Sequence, residues 1–234
     1  MIEFGHGTHV GLRRAHNEDT YWADDALGLW LVADGMGGHE YGEVASAIAR
    51  DTLVREVGAG RSLEDAIRRA DESIIALSQK RSEGLPMGTT IAALHLKDGA
   101  YEVAWVGDSR AYLYQAGALS QLSQDHSYVQ ELVAQGAISA EQARTHPHRN
   151  MVTQALGVTS PEQLHVETRQ GRLESGMQFL LCSDGLTEEV EDHAIGTVLA
   201  RDDLAAQECV EHLILAALDG GGSDNITVLL VRSR

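Results

Sequence analysis

Short apolar runs, each of a length typical of a β-strand, recur along the chain. They cover residues 29–33, 89–96, 101–106, 111–114, 178–182 and 226–231. The second and third runs are joined by Lys97-Asp98-Gly99, which predicts a tight hairpin turn. The last run is continuously apolar and rich in β-branched residues, which predicts a buried central strand.

Segments with apolar residues at helical spacing lie between these runs. They are residues 43–57, the segment that follows Ser62, residues 126–146 and residues 203–218. Ser62 with Asp65, and Ser139 with Gln142, have the spacing of a capping box at a helix N-terminus. Strands and helices do not alternate regularly, which disfavours a doubly wound parallel sheet. We therefore expect antiparallel sheets with helices packed outside them.

The composition is that of one globular domain. The chain has 234 residues, of which 43% are hydrophobic and 23% charged, and it has three prolines and no Pro-, Gly- or Ser-rich linker. Its 35 acidic residues exceed its 18 basic residues, giving a net charge of −17, which disfavours a nucleic-acid partner.

Location in the cell is indicated by the cysteines and by the hydropathy pattern. The two cysteines, Cys182 and Cys209, form no CxxC pair and are too few for a disulfide framework, which fits a reducing compartment. The first residues lack the pattern of a signal peptide, and no apolar run has the length of a membrane span. We expect a cytoplasmic protein that does not associate with a membrane.

Aspartates occur where apolar runs begin or end, next to glycine. Asp34, Asp108 and Asp184 follow such runs, Asp224 precedes the last one, and Glu18-Asp19 adds a further pair of acids. A single Asp-Gly is usually a turn, but four at the ends of separate strands are expected to converge. Buried carboxylates that converge need a cation or raised pKa values. Oxygen ligands suit Mg²⁺ or Mn²⁺, and the spacings typical of zinc ligands are absent.

Five short motifs resemble those of the PPM (PP2C-type) protein phosphatases, particularly the short bacterial members. In chain order they are Arg14-Ala15-His16-Asn17-Glu18-Asp19, Asp34-Gly35-Met36-Gly37-Gly38-His39, Gly107-Asp108-Ser109-Arg110, Ser183-Asp184-Gly185 and Ser223-Asp224-Asn225-Ile226-Thr227. The resemblance implies an α+β fold, a four-layer αββα sandwich with two central antiparallel sheets. It also implies hydrolysis of phosphoserine and phosphothreonine in proteins, by one domain over residues 1–234 with a flap near 124–160.

The resemblance also implies the metal ligands. Asp34 would bridge two Mn²⁺ or Mg²⁺ ions, with Glu18 and the Gly35 carbonyl completing one site. Asp184 and Asp224 would complete the other site.

Further roles follow from the same resemblance. Asp108, together with Asp184, would help to hold a third ion. Asp19 would accept a hydrogen bond from metal-bound water and would not itself bind metal.

The implied mechanism is in-line attack by a metal-bridging water or hydroxide, without a phosphoenzyme. Arg14 would bind the substrate phosphate, because a guanidinium matches phosphate oxygens. The neighbouring Arg13 is a competing candidate, and the spacing to Glu18 selects Arg14. Some relatives place a histidine directly after Asp-Gly, where this chain has Met36. His39 and metal-bound water both stay open as the general acid.

Some of these residues also bear on other functions. A cysteine-based phosphatase needs an arginine six residues after its nucleophile, but Glu188 follows Cys182 at that distance, so Cys182 is expected to be a core residue. A two-metal phosphodiesterase could use the same carboxylates, and a non-catalytic phosphoprotein-binding module or a structural Ca²⁺-binding domain are further alternatives. The implied partners are phosphorylated proteins, including a serine/threonine protein kinase, and we expect a monomer.

Overall fold

A computed structural model describes residues 1–37, 41–80 and 86–234. The described strands are β1 (Ile2–His9), β2 (Asp19–Asp24), β3 (Leu29–Met36), β4 (Gly88–Thr89), β5 (Ile91–Lys97), β6 (Ala100–Val106), β7 (Arg110–Gln115), β8 (Ala118–Gln121), β9 (Glu167–Arg172), β10 (Gln178–Cys182) and β11 (Ile226–Ser233). The described helices are α1 (Tyr41–Gly58), α2 (Leu63–Lys80), α3 (Tyr128–Ala134), α4 (Ala140–Arg144), α5 (Asp184–Thr187), α6 (Asp192–Leu199) and α7 (Ala206–Gly220).

The strands form two antiparallel sheets. The first sheet has the order β1-β11-β10-β7-β8, and the second has the order β2-β3-β5-β6-β9, with β4 also paired to β3. Helices α1 and α2 pack on the outer face of the second sheet, and α5 to α7 pack on the outer face of the first. The predicted αββα sandwich is confirmed.

Three apolar layers hold these elements together. On β3, Leu29 and Leu31 pack towards α1 and α2, while Trp30 and Val32 pack between the sheets. A strand whose two faces are both covered reads as a continuous apolar run, because successive side chains point to opposite faces. Burial of each large apolar side chain stabilises the fold by about 1.5–3 kcal/mol, so both faces of this strand favour the observed orientation.

The predicted elements are found with small differences in their ends. The run 89–96 forms β4 and β5, which pair with β3 in one continuous register. The two strands are separated at Thr90, because its Oγ1, and not a backbone oxygen, accepts the Asp34 N–H at 3.1 Å. The helix expected from residue 203 begins at Ala206. The predicted hairpin is a two-residue turn with Asp98 at φ 52° and Gly99 at φ 74°, as a type I′ turn requires.

Residues 124–160, which we name the flap segment, lie between β8 and β9 and contain α3 and α4. Ser127 caps α3 by accepting the Gln130 N–H at 3.3 Å. Ser139 caps α4 in the predicted capping box, because its hydroxyl accepts from Gln142 N and the Gln142 side chain accepts from Ser139 N. In the described ranges, none of the helices combines the length and apolarity that crossing a membrane requires.

Candidate active site

Strand pairing in the second sheet brings the first acids together. Asp19 is the first residue of β2 and lies directly opposite Asp34 on β3. Burial raises the pKa of Asp34 well above its usual value, and neighbouring carboxylates raise it further. Those neighbours are Asp19, Asp184, Asp108 and Asp224. Acids from four separate segments therefore converge on Asp34, as the sequence predicts.

Two further acids come from the first sheet. Asp184 begins α5, directly after β10, and Asp224 lies just before β11, which pairs with β10. Burial raises the pKa of Asp184 well above its usual value, and the charge of Asp108 is the next cause. The antiparallel pairing of β10 and β11 explains why residues 40 positions apart lie at one end of the sandwich.

Hydrogen bonds join the two sheets at this end. Asp19 Oδ2 accepts the hydroxyls of Ser183, at 2.7 Å, and Thr227, at 2.6 Å. The Asn225 side chain accepts Glu18 N at 2.8 Å and donates to the carbonyl of His16 at 3.0 Å. Residues next to Asp184 and Asp224 thus fix the positions of Glu18 and Asp19.

Asp108 lies in the connection between β6 and β7, which belong to different sheets. Its side chain is buried, and burial followed by the charge of Asp125 raises its pKa to about 7. The adjacent Ser109 hydroxyl is 2.6 Å from Thr90 Oγ1, which in turn accepts the Asp34 N–H. This chain of contacts connects the Asp108 turn to the strand that carries Asp34.

Glycine is required where α1 meets the acids. A Cβ on Gly35 would lie 2.1 Å from the Gly42 carbonyl oxygen and 2.7 Å from that of Glu18. A Cβ on Gly42, in the first turn of α1, would lie 2.8 Å from Glu18 Cδ. The backbone of Gly35 therefore packs against both Glu18 and the helix, with no room for a side chain.

The acids have the properties of a site for a hard divalent cation. Among these acids, three buried carboxylate oxygens have no hydrogen-bond partner in the described part of the chain: Glu18 Oε1, Asp19 Oδ1 and Asp184 Oδ1. Unpartnered buried oxygens are costly unless a cation or a proton satisfies them. No three His, Cys, Asp or Glu side chains of the described residues are gathered into a ready-made metal cluster. Spaced carboxylates suit Mg²⁺ and Mn²⁺, which retain several waters as ligands.

Arg14 lies at the edge of these acids. Its Nη2 donates to Asp224 Oδ2 at 2.6 Å, and 53% of its side chain is exposed. Its loop is anchored by a hydrogen bond from Leu12 N to the Gly222 carbonyl, at 2.7 Å. Arg14, and not its neighbour Arg13, makes the contact with Asp224 in the described structure. An accessible guanidinium beside the acids is suitably placed to meet a phosphate.

Two other candidates have different outcomes. His39 lies outside the described residues, so its predicted role stays a prediction; Met36 is the last residue of β3. Cys182 is fully buried on β10, and burial raises its pKa to about 12, so it provides no thiolate nucleophile. The expectation that Cys182 is a core residue is confirmed.

Several residues that shape the site had no role assigned from the sequence, although most of them belong to the five motifs. Ser183, Thr227 and Asn225 position the acids, and Arg110 grips Asp125 through three contacts of 2.7–3.0 Å. Ser183 and Asn225 could have been found from the sequence, because each lies next to a candidate metal ligand. Asp125 has no such signal, since its partner is 15 residues away and its role depends on the fold.

The comparison with protein families agrees with this geometry. Residues 7–198 match the family model described as Protein phosphatase 2C. The chain belongs to the protein phosphatase 2C family. This membership accounts for the order of the acidic motifs and for the sandwich that brings them together.

Curated relatives of this protein phosphatase 2C chain differ in length. It is 38% identical to the serine/threonine protein phosphatase PstP of Mycobacterium tuberculosis, over 98% of this chain and 45% of PstP, so it spans about half of that relative. It is 37% identical to the serine/threonine phosphatase stp of Listeria monocytogenes, over 96% of this chain and 93% of stp.

A solved structure gives the same fold. The catalytic domain of PstP in complex with two manganese ions superposes with a TM-score of 0.88 and 32% identity, over 99% of this chain and 97% of that chain. A metal-bound relative therefore shares the architecture in which the acids of this chain converge.

Proposed function

We propose that this chain is a metal-dependent protein phosphatase that hydrolyses phosphoserine and phosphothreonine in proteins. The observation that carries the proposal is the convergence of Asp34, Asp184 and Asp224, with Glu18 near Asp224, beside the accessible guanidinium of Arg14. Membership of the protein phosphatase 2C family supports it, as do the names of the relatives and the manganese in the PstP structure.

Asp34 is the proposed bridging ligand of two Mn²⁺ or Mg²⁺ ions. Glu18 and the Gly35 carbonyl would complete one site, and Asp184 and Asp224 would complete the other. The unpartnered oxygens of Glu18 and Asp184 support these assignments. When bound, such ions lower the pKa of water and neutralise charge on a phosphoryl group.

A third ion is proposed for Asp108 together with Asp184. The two carboxyls are close together. Burial is the largest cause of the raised pKa of Asp184, and the charge of Asp108 is the second. A cation between them would remove this repulsion, which is costly in a buried site.

Arg14 and Asp19 have distinct proposed roles at the phosphate. Arg14 binds the phosphate oxygens, exchanging its contact with Asp224 for the substrate. Asp19 Oδ2 is fixed by the Ser183 and Thr227 hydroxyls, which leaves Oδ1 to accept a hydrogen bond from the attacking water. This bond orients the water for in-line attack on phosphorus.

The proton for the leaving serine or threonine oxygen comes from His39 or from water. A His39→Ala variant separates these two donors on a substrate with a poor leaving group. Turnover that falls with the variant assigns the proton to His39, and unchanged turnover assigns it to water.

The wider setting of the enzyme belongs to the same proposal. Its substrates are phosphorylated proteins, a serine/threonine protein kinase among them, and it acts in the cytoplasm as a monomer with the flap segment beside its site. Mass measurement in solution tests the monomer, and dephosphorylation of a purified kinase tests the partner.

The decisive experiment measures phosphate release from phosphothreonine and phosphoserine peptides with Mn²⁺, with Mg²⁺ and with a chelator. Metal-dependent release that is lost in Asp34→Asn and kept in Asp25→Asn, an exposed turn residue, supports the proposal. Folded protein that releases no phosphate with either metal contradicts it. Cleavage of a phosphodiester in preference to these monoesters favours the phosphodiesterase instead.

A further inference from the structure

A cavity of about 560 Å³ opens from the site beneath the flap segment. Its floor contains Asp108 and Asp184, and its walls come from the flap segment on one side and from α5 and α6 on the other. Residues that define the walls include Val129, Val133, Arg144, Glu188, Glu191 and Asp192. The volume lies in the range of roughly 300–1,000 Å³ that is typical of ligand sites. We name it the flap cavity.

The position of the flap cavity indicates which part of a substrate it could bind. It begins at two of the proposed metal ligands, Asp108 and Asp184, and extends outward between two walls. A phosphorylated residue bound at the acids is part of a polypeptide, whose neighbouring residues must leave the site along its surface. The flap cavity is a continuous space available to those residues.

The charges of the cavity are unequal. Arg110 and Asp125 neutralise each other through a bidentate contact, and Asp108 and Asp184 are assigned to metal. The other charged side chains of the lining are the acids Glu141, Glu188, Glu191 and Asp192 and the bases Arg144 and Arg149. Acids are therefore in excess where a substrate segment would lie.

The two basic side chains already face acids across the cavity. Arg144 Nη2 on the flap segment lies 3.8 Å from Glu191 Oε1 on the opposite wall. Burial raises the pKa of Glu188, and the charge of the nearby Arg149 opposes that rise. Ion pairs between exposed side chains contribute only about 0–1 kcal/mol, so another cation can replace the flap arginines at little cost.

We propose that the flap cavity binds the part of a protein substrate next to its phosphorylated residue and favours lysine or arginine there. A substrate cation would pair with Glu141 and Glu191, whereas a substrate carboxylate would meet the excess of acids. This inference rests on the proposed function and adds the charge of the preferred substrate to it.

The test compares phosphothreonine peptides of equal length that carry lysine, alanine or glutamate at the positions flanking the phosphothreonine. Initial rates give kcat/KM with saturating Mn²⁺, and labelled peptides titrated against Asp34→Asn give affinities without turnover. The lysine peptide is expected to exceed the glutamate peptide roughly tenfold in both measurements at low salt, with the ratio shrinking at high salt.

A matched variant is needed because a chain of net charge −17 attracts any basic peptide. Glu141→Gln/Glu191→Gln removes two charges from the cavity, and Glu72→Gln/Glu211→Gln removes two exposed charges from α2 and α7. If the flap cavity sets the preference, the cavity variant should reduce the ratio of the lysine peptide to the glutamate peptide to about threefold or less. The control variant should preserve that ratio.

Other outcomes overturn one proposal or the other. Equal reduction of the ratio in both double variants assigns the preference to overall charge and overturns the inference. A preference for glutamate, or no preference, also overturns it, and the first would indicate recognition by Arg144 and Arg149. A lysine preference in binding without phosphate release retains the inference and removes the proposed function.

Discussion

Arg14 donates a hydrogen bond of 2.6 Å to Asp224, which is 210 positions away in the chain. One partner is the proposed phosphate ligand and the other a proposed metal ligand. The contact holds the guanidinium at the acids while leaving 53% of the side chain exposed. Under the proposed function, substrate and cation would meet at the neighbouring groups of this pair.

Replacing Arg14 is expected to weaken catalysis on phosphopeptides. Arg14→Ala should lower kcat/KM about 100-fold, and Arg14→Lys about tenfold, because an ammonium keeps the charge but loses the fork of donors. Arg13→Ala is the matched control and should change kcat/KM less than about threefold. Equal losses in the two alanine variants would show that the spacing selects the wrong arginine.

The metal-free protein is expected to lose stability as pH rises. Asp19 and Asp108 have pKa values raised to about 6 and about 7, from 3.8. A carboxyl whose folded-state pKa is raised binds its proton more tightly in the folded state. Its stabilising effect is full below the unfolded pKa and is lost as pH rises through the folded pKa.

Thermal unfolding with a chelator should therefore show a Tm that falls between about pH 4 and pH 7. Mn²⁺ should raise Tm more at pH 8 than at pH 5, because protons and cations compete for the same oxygens. Asp108→Asn should make the fall with pH shallower. A Tm that rises steadily across this range in the chelated protein would contradict the assignment of raised pKa values.

The packing of Gly42 against Glu18 predicts a loss of metal binding on enlargement. Gly42→Ala places a methyl group 2.8 Å from Glu18 Cδ and should lower the affinity for Mn²⁺ roughly tenfold or more, measured by calorimetric titration. Gly58→Ala, at the other end of α1, meets no atom within 4 Å and should leave the affinity unchanged. Unchanged affinity in Gly42→Ala would mean that the Glu18 side chain adapts without cost.

The ion pair of Arg110 and Asp125 is expected to anchor the flap segment. Asp125→Asn should cost about 2–3 kcal/mol in urea unfolding, because it leaves a largely enclosed guanidinium without its charged partner. A double-mutant cycle with Arg110→Gln should give a coupling energy above about 1 kcal/mol. Additive effects would show that the two side chains act independently of each other.

The hairpin between β7 and β8 has a residue that can be improved. Ala116 has φ 51° and precedes Gly117 at φ 81°, the conformation that Asp98 and Gly99 have in the other hairpin. Ala116→Asn should raise stability by about 0.5–1 kcal/mol, or Tm by about 1–4 °C, because asparagine tolerates this conformation better. Ala118→Asn, on the adjoining strand, should give no gain, and an equal gain at both positions would exclude the backbone explanation.

The sequence predicts the centre of the fold better than its edges. Residues 226–231 could be assigned because β11 is buried on both faces and reads as one apolar run. The strand β9 (Glu167–Arg172) could not be predicted from the sequence, because it is exposed and polar at the edge of its sheet. Its place is decided by hydrogen bonding to β6, which leaves no hydrophobic pattern.

The site shows the same division. Asp34 and Asp184 are detectable because each follows an apolar run and precedes a glycine, and Asp224 because it lies between three glycines and the last apolar run. The hydroxyls that fix Asp19 belong to Ser183 and Thr227, whose motifs do not indicate this contact, because they meet Asp19 only when the sheets pack. A role that depends on contacts 164 and 208 positions apart cannot be inferred from spacing.

The proposed ligands are divided between the two sheets, since Asp34 lies on β3 of one sheet and Asp184 follows β10 of the other. A bound pair of ions would therefore link two layers that otherwise meet through apolar side chains and through the hydrogen bonds of Asp19. Neither sheet alone has enough carboxylates to build the centre, so a partly folded chain would have no hydrolytic activity to release on the phosphoproteins around it. Under the proposed function, hydrolytic activity would appear only after the two sheets have packed together.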